Sequence, residues 1–559
     1  MTKTLSANMS SRETPRLADQ LIRAGAIYPM AQKHEAHRSI AIRDGRVMAT
    51  ARDPHGLDGF ISASTIVIDD TTLTVLPGFI DTHTHLIFAA RSINDVPVGQ
   101  AKTMDEFLAL IRQRAAVTPK GQWIRTSAAW NELNLAEKRM PVALDLDQAT
   151  TDHPVLVKRG GHNDVLNSHG MRIAGLTRDT PTPEGGTIVK DENGDPTGWL
   201  IDTAISLAER VFPAPDFESQ VKALSKASFE YAAYGISTVR DAFVTRDEML
   251  SLQTASEDGG LGVRIRPMIG LAFAGGSADV IAEIDSWGVR SGFGDDKLRL
   301  WGLKIVLDGG AENGATDAPY CNHGDFRGQL MWDPETMTQV VSHAVRRRWK
   351  VGIHAWGDRA VRTALDVYEE VLRETPDISQ GTLVIEHAGL PNAEQRARAV
   401  RMGVAVTVQH PLLHDLAPSL ILNWGARRTS DIFPLRKWIE EGALIAAGSD
   451  YPVGSYDVMA SVWGMVTRQT KSGVLGPEHA IDAYTAVKLY TADAARLIGE
   501  DDRLGVLQPG KYADLVAYRR DPITAPVDDL AMLRPVFTVV GGEPVYDPDG
   551  VFNMDEAPM

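Results

Sequence analysis

Short apolar segments alternate with longer helical patterns through the central part of this chain. Such an alternation predicts βα units and a parallel sheet, and therefore the α/β fold class. Eight segments qualify as strands, and eight is the number that closes a (β/α)₈ barrel of the TIM type. The predicted strands are residues 78–85, 236–242, 264–271, 298–307, 350–354, 382–387, 404–410 and 444–449.

Both ends of the chain are predicted to consist of strands without long helices between them. Alternating runs flank Asp44-Gly45, which is a strong hairpin signal, and residues 512–518 and 535–542 have a similar pattern. We therefore predict a small discontinuous β-sandwich of residues 19–76 and 501–559 beside a barrel of residues 77–500. Residues 1–18 are polar and are expected to form a disordered leader.

One connection in the barrel is too long for a single crossover helix. It lies between the first two predicted strands, at about residues 90–230, and combines a helical pattern with strand-like and Gly- and Pro-rich sections. A long insertion after a barrel strand rises above the face on which barrel enzymes carry their active sites. We therefore predict that this insertion forms a substrate lid.

Composition and charge argue against several classes of protein. The net charge is −16, which disfavours a nucleic-acid surface. The single cysteine, Cys321, permits no intrachain disulfide and gives no sign of secretion. No apolar run reaches the length of a membrane span. We expect a cytoplasmic protein with neither a nucleic-acid nor a membrane partner.

Two histidines, His83 and His85, end the first predicted barrel strand. Side chains alternate along a strand, so both imidazoles point to the same face. His354, His387 and Asp450 end later predicted strands, and these ends meet at one barrel mouth. Imidazole and carboxylate groups together predict a site for a divalent metal, most simply one or two Zn²⁺ ions.

Lys304 lies inside an apolar predicted strand, where an unpaired ammonium group is costly. A desolvated lysine has a lowered pKa and becomes nucleophilic. It can then react with carbon dioxide to form a carbamate, which serves as a bridging ligand between two metals. The alternative is that Lys304 extends to the barrel rim or pairs with Asp308.

Four further residues are candidates for binding the substrate. His162 and Asn163 lie in the insertion, and Gln409 and His410 end the seventh predicted strand. For each pair a structural role, in a solvated turn or as a polar strand cap, is about as well supported as a binding role.

The stretch of residues 77–85 resembles the first-strand signature of the amidohydrolase superfamily, and the order of the later candidate ligands is also similar. Residues 161–168, 304–309, 448–452 and 504–516 resemble the amidohydrolase-3 branch, which includes N-substituted formamide deformylases. The resemblance extends from about residue 19 to residue 541. It implies a metal-dependent barrel that hydrolyses C–N bonds of small-molecule amides, and a homodimer.

Carried over by position, the resemblance implies that His83, His85 and Asp450 hold one metal. His354 and His387 would hold a second, and carboxylated Lys304 would bridge the two. Metal-bound hydroxide would attack the carbonyl carbon, while Asp450 takes a proton and passes it to the departing nitrogen.

The leading hypothesis is hydrolysis of a linear N-substituted amide or formamide. The alternatives are deamination of an amino-heterocycle, which in the superfamily generally proceeds without the lysine, and hydrolysis of a cyclic amide. A non-catalytic barrel would be expected to lack some of the ligands, and isomerisation or decarboxylation is also compatible with the sequence.

Overall fold

The computed structural model describes residues 17–183, 185–213, 216–271 and 276–552. Residues 1–16 of the predicted leader and 553–559 of the predicted tail lie outside the described residues. Within these ranges no helix combines the length and the apolarity that crossing a membrane requires.

Eight parallel strands form the predicted barrel, in the order in which they occur along the chain. The apolar strands are buried on both faces, as expected of a parallel barrel covered by helices. The third strand is interrupted at residues 266–267, so that its two parts pair with successive portions of the second strand. The strands are Phe79–Thr84, Ile236–Val244, Arg264–Ile265 with Met268–Leu271, Gly302–Val306, Val351–Ala355, Leu383–His387, Ala405–Val408 and Ile445–Ala447.

The first and last strands close the barrel through a seam rather than a continuous ladder. The Thr82 hydroxyl donates to the Ala447 carbonyl oxygen at 2.8 Å, and the Asp450 backbone N–H donates to the His83 carbonyl oxygen at 2.8 Å. Gly448 lies at this seam, where an added Cβ would come within 2.7 Å of the His83 backbone nitrogen. Close approach of the two backbones therefore depends on glycine at this position.

Helices surround the barrel and connect its strands. The helix Asp358–Glu374 buries an apolar face that includes Val361, Leu365 and Tyr368 against the barrel, as its 3.6-residue periodicity requires. The helices outside the insertion are Leu86–Ser92, Phe217–Ala232, Arg246–Glu257, Ser277–Ser286, Pro334–Arg346, Asp358–Glu374, Ala393–Met402, His410–Ser430, Leu435–Glu440, Val458–Thr467, Ala483–Leu489 and Ala492–Ile498.

Strands from both ends of the chain share one seven-stranded sheet beside the barrel. The predicted hairpin at Asp44-Gly45 is confirmed, and both residues have positive φ, 50° and 70°. All neighbouring strands are antiparallel except the pair Gln20–Ile27 and Ile66–Pro77. In spatial order the strands are Glu543–Tyr546, Phe537–Val540, Leu515–Tyr518, Ile66–Pro77, Gln20–Ile27, His37–Arg43 and Arg46–Ala51.

The insertion between the first two barrel strands contains its own five-stranded sheet. The strands in spatial order are Ile124–Arg125, Val155–Arg159, Asn163–Leu166, Pro196–Asp202 and Gly186–Lys190. Its helices are Met104–Val117, Ala143–Asp147, Ser168–Ala174 and Ser206–Glu209. The insertion contacts segments that follow barrel strands: Arg159 pairs with Glu312 in the loop after the fourth strand, and Asn131 Nδ2 donates at 2.9 Å to Ser419 Oγ of helix His410–Ser430, which follows the seventh strand. This inserted segment therefore lies over the barrel mouth, where a lid was predicted.

Candidate metal centre

Three of the predicted ligands converge at the barrel mouth. One ligand atom from each of His83, His387 and Asp450 lies within 4.8 Å of the others, and all three residues are buried. His85 Nε2 lies 3.0 Å from Asp450 Oδ1, which places the fourth ligand beside them. Two imidazoles and a carboxylate at this spacing match the donors that zinc takes in proteins.

The remaining two predicted ligands adjoin this group. The rings of His354 and His387 have centroids 4.6 Å apart. Lys304 Nζ lies 3.4 Å from His83 Nε2, at a depth where the lysine is only 2% exposed. The structure therefore brings Lys304 together with the five candidate ligands that the sequence placed at the ends of barrel strands.

The backbone turns sharply at two of these positions. His387 has φ of 71° and Asp450 has φ of 56°, both in the left-handed region that is uncommon outside glycine. Residues held in this region occur preferentially at functional sites, where the surrounding structure enforces them. At Asp450 the constraint is the hydrogen bond from its backbone N–H to the His83 carbonyl oxygen.

Burial prepares the imidazoles to act as neutral ligands. It lowers the pKa of His354 and of His387 well below the ordinary value, and neighbouring cationic groups act in the same direction. Burial likewise lowers the pKa of His85. For Asp450 burial opposes ionisation, but the neighbouring imidazoles of His83 and His85 prevail and hold the pKa of this carboxyl well below its usual range.

A further observation supports the binding of a divalent cation by these side chains. The Nδ1 atoms of His85 and His387 are buried and have no hydrogen-bond partner within the described ranges. A buried imidazole without partners on one side is costly unless something else satisfies it. Neutral imidazoles beside an ionised carboxylate present the lone pairs and the negative charge that a metal ion would use.

Burial also lowers the pKa of Lys304, to about 8. The nearby carboxylates of Glu386 and Asp450 act in the opposite direction and do not restore the ordinary value. At neutral to mildly alkaline pH a substantial fraction of the Lys304 side chain is therefore the neutral amine. The neutral amine is the form that reacts with carbon dioxide. Lys304 and Asp308 do not form the ion pair considered above. The Asp308 carboxylate instead accepts hydrogen bonds from the backbone N–H groups of Ala315, Trp356 and Gly357.

A buried ion pair that the sequence analysis did not identify lies directly beneath the candidate metal ligands. Glu386 Oε2 lies 2.6 Å from His83 Nδ1, and Arg240 Nη2 donates to both carboxylate oxygens of Glu386 at 2.8 and 2.7 Å. The Thr407 hydroxyl also donates to Glu386 Oε2 at 2.8 Å. Burial opposes ionisation of Glu386, but Arg240 and His83 prevail and hold the pKa of this carboxyl well below its usual range.

This network determines which ring nitrogen of His83 faces the barrel mouth. A carboxylate against Nδ1 keeps the hydrogen on that nitrogen and leaves Nε2 as the lone-pair donor toward the mouth. The sequence does contain a signal for this ion pair. Arg240 and Glu386 each lie inside an apolar strand, and charged residues are almost never buried unless they are paired.

Asp308 is a second contributor that was not identified as functional. It follows the fourth barrel strand and accepts hydrogen bonds from the backbone N–H groups of Ala315, Trp356 and Gly357 at 2.8 to 3.0 Å. Its Oδ1 also lies 3.4 Å from His354 Nε2. The carboxylate therefore joins the loops that follow the fourth and fifth strands and orients His354.

The four residues predicted as candidates for binding the substrate lie in different surroundings. His162 reaches the mouth, with its ring centroid 6.2 Å from that of His354. Asn163 is buried in the inserted sheet and accepts a hydrogen bond from Trp199 Nε1 at 2.9 Å. Gln409 donates to Thr407 at 2.9 Å, beneath the ligands. His410 packs against Gly464, where an added Cβ would lie 2.6 Å from His410 Nδ1.

Comparison with known proteins supports the fold. The crystal structure of an uncharacterized metal-dependent hydrolase from Pyrococcus horikoshii OT3 superimposes with a TM-score of 0.73. The match covers 91% of this chain and 99% of that chain at 22% sequence identity. This similarity places the chain in the class of proteins that share this barrel fold.

Two relatives match over nearly the whole chain. An N-substituted formamide deformylase of Arthrobacter pascens is 26% identical over 96% of this chain and 99% of its own length. Protein LONG AFTER FAR-RED 3 of Arabidopsis thaliana is 28% identical over 95% of this chain and 92% of its own length. Residues 67–546 match the profile of the amidohydrolase family, and the chain belongs to this family. It is accordingly a metal-dependent hydrolase that acts on carbon–nitrogen bonds other than peptide bonds.

Proposed function

We propose that this enzyme hydrolyses a linear N-substituted amide or formamide. The observation that carries the proposal is the placement of Lys304 among four histidines and Asp450 at one barrel mouth. The similarity to a formamide deformylase along the whole chain supports the same substrate class. Deamination of an amino-heterocycle, for which the lysine is not generally needed, is less well supported.

The proposed ligands of one ion are His83, His85 and Asp450, and those of a second ion are His354 and His387. We propose zinc as the metal and a carbamate on Lys304 as the bridge between the ions. When bound, a divalent cation lowers the pKa of coordinated water toward neutrality and polarises a carbonyl oxygen. The protein contributes neutral imidazoles and a fixed carboxylate, which bind without first losing a proton.

Asp450 is the proposed proton carrier. Its carboxylate lies 3.0 Å from His85 Nε2 and 3.4 Å from His83 Nε2, so its position is fixed on both sides. It would take a proton from the attacking water as the water oxygen bonds to the carbonyl carbon. It would then deliver that proton to the nitrogen as the C–N bond breaks.

The inserted segment is the proposed lid. It brings His162 to the mouth and is tied to the barrel by the Arg159–Glu312 ion pair and by Asn131. A covering segment excludes bulk water from the site and confines substrate choice to the space beneath it. The domain boundaries and the homodimer expected from the sequence remain predictions.

A mixed panel of substrates tests the proposal. Zinc-loaded enzyme is incubated with N-butylformamide, N-butylacetamide, a lactam and cytosine, and the products are identified by mass spectrometry. The proposal expects an amide to yield an acid and an amine, and expects Asp450→Asn to abolish turnover while leaving the circular dichroism spectrum unchanged. Loss of ammonia from cytosine, with no amide split, would instead assign the enzyme to the deaminases. A matched control is Asp366→Asn on the outer face of helix Asp358–Glu374, which should leave turnover unchanged.

A further inference from the structure

His162 is held at the barrel mouth in one ring orientation. It belongs to the inserted segment, and its Nδ1 lies 2.9 Å from Asp202 Oδ1. Its side chain is 29% exposed, whereas that of Asp202 is 2% exposed. Since Nδ1 faces a carboxylate, the nitrogen available for another molecule is Nε2, for which the described residues supply no hydrogen-bond partner.

Asp202 is itself anchored from the barrel side. Asn313 Nδ2, from the loop after the fourth strand, donates to Asp202 Oδ2 at 2.5 Å. The Asp202 backbone N–H also donates to the His162 carbonyl oxygen at 2.9 Å. Asp202 has φ of 50°, an unfavourable conformation that these contacts enforce. Oδ2 of Asp202 thus joins the insertion to the barrel, while Oδ1 holds the His162 ring within the insertion.

The space beside His162 is kept open by glycine. A Cβ added at Gly310 would lie 3.2 Å from His162 Cδ2 and 3.7 Å from its Nε2. The ring centroid lies 6.2 Å from that of His354, which is on the proposed second-metal side of the site. His162 therefore lies on the His354 side of the mouth, with its Nε2 beside Gly310.

We propose that His162 binds the substrate amide through a hydrogen bond at Nε2, and that Asp202 and Asn313 are positioning residues for it. The inference rests on the proposed function for the identity of the substrate only. If the proposal is correct, substrate affinity depends on the contact between the insertion and the barrel. His162 then binds the substrate only when the insertion is docked on the barrel. Holding one ring in one orientation avoids the entropy loss of ordering it on binding.

The test compares steady-state constants of four variants with N-butylformamide as probe. H162N is expected to raise KM about tenfold, with a smaller effect on kcat, because a hydrogen bond to substrate is lost. D202A is expected to raise KM in the same direction but less. D202N, which retains an acceptor for Nδ1–H, is expected to restore most of the affinity.

The double variant H162N/D202A separates positioning from a merely structural role. If Asp202 acts through His162, the double variant is no worse than H162N alone. Additive losses, or a KM of H162N within twofold of the wild type, would overturn the proposal. H169N is the matched control, because His169 is a half-buried histidine of the same inserted segment whose Nδ1 faces the Thr151 carbonyl oxygen. If the panel assigns the enzyme to the deaminases, the same ratios are measured with cytosine, so the two failures are distinguishable.

A binding measurement makes the test independent of turnover. Zinc-loaded protein labelled with [13Cε1]histidine is titrated with butylamine, the amine product of N-butylformamide cleavage, whose N–H groups can donate to Nε2, and followed by NMR. The resonance absent from H162N identifies His162. It is expected to shift on addition of butylamine in the wild type and to shift less in D202A, whereas an unchanged resonance in the wild type would contradict the contact.

Discussion

His83 Nδ1 lies 2.6 Å from Glu386 Oε2, although 303 residues separate them in the sequence. The contact turns Nε2 of His83 toward Asp450 and Lys304, from which it lies 3.4 Å in each case. The carboxylate beneath the histidine is in turn held by Arg240. Orientation of a proposed metal ligand therefore depends on an ion pair inside the barrel that touches neither the mouth nor the solvent.

Glu386→Gln should weaken metal binding about 10- to 100-fold, since an amide orients and polarises the imidazole less well than a carboxylate does. Competition of the apoprotein with a chromogenic zinc chelator measures the effect. Glu440→Gln, on the exposed surface of helix Leu435–Glu440, is the matched control and should bind zinc as the wild type does. Unchanged zinc affinity in Glu386→Gln would show that His83 keeps its orientation without the carboxylate.

Arg240→Met should destabilise the fold by about 3–5 kcal/mol, because it leaves the Glu386 carboxylate buried without its cation. Urea denaturation of the apoprotein measures the free energy of unfolding. The double variant with Glu386→Gln removes the stranded charge and should recover part of that stability, yet retain the weak zinc affinity of Glu386→Gln. A double variant that regains zinc affinity would contradict this separation of stability from metal binding.

Zinc loading in ¹³C-bicarbonate should give a carbamate carbon signal in the NMR spectrum, because burial favours the neutral amine of Lys304. The signal should be absent from Lys304→Ala. Lys350→Met tests the specificity of the assignment, since burial lowers the pKa of Lys350 to about 8 as well. Lys350 Nζ, however, donates to the Ile498 carbonyl oxygen at 2.7 Å, away from the metal ligands. Loss of the signal in Lys350→Met instead would place the carbamate elsewhere.

Gly448→Ala should reduce turnover at least tenfold while the protein stays folded. The added Cβ would come within 2.7 Å of the His83 backbone nitrogen and within 2.9 Å of its carbonyl oxygen. The first and last strands would have to separate by a few tenths of an ångström, which misplaces the ligands that they carry. Gly59→Ala meets nothing within 4 Å and serves as the control. Normal kcat/KM in Gly448→Ala would show that the seam tolerates this displacement.

The wild type should gain stability relative to Lys350→Met as the pH rises from about 8 toward 10.5. Burial lowers the pKa of Lys350 from 10.5 to about 8 in the folded chain. Between these values the unfolded chain binds more protons, so this lysine's contribution to the free energy of unfolding increases with pH. The expected gain is about 3 kcal/mol, because each pKa unit between about 8 and 10.5 corresponds to about 1.4 kcal/mol. Urea denaturation at several pH values measures it. An equal pH dependence of stability in the wild type and in Lys350→Met would contradict this prediction.

The barrel could be predicted from the sequence because each strand is a short apolar run bounded by polar residues. All eight strands were located, and the residues proposed as ligands follow from where those runs end. The inserted sheet could not be predicted in detail. Its strands are two to seven residues long. The ends of several of these strands are set by pairing with neighbouring strands rather than by a recurring pattern of apolar residues in the sequence.

The network beneath the ligands was missed for a different reason. The cost of a buried charge was weighed for Lys304 but applies equally to Arg240 and Glu386, each inside an apolar strand. Their pairing crosses the interior of the barrel, so neighbouring sequence gives no indication of the partner. Asp308 was considered only as a partner for Lys304, because its three donors are backbone groups of loops whose course the sequence does not reveal.

The seam that closes the barrel joins residues that are far apart in the order of synthesis. Thr82 and Ala447, which meet across it, are separated by 365 residues. The proposed ligands lie on both sides of this seam, with His83 and His85 on the first strand and Asp450 just after the last. A growing chain on the ribosome therefore holds only part of its ligand set for most of translation. The set of proposed ligands therefore cannot be complete until the eighth strand has emerged and docked beside the first.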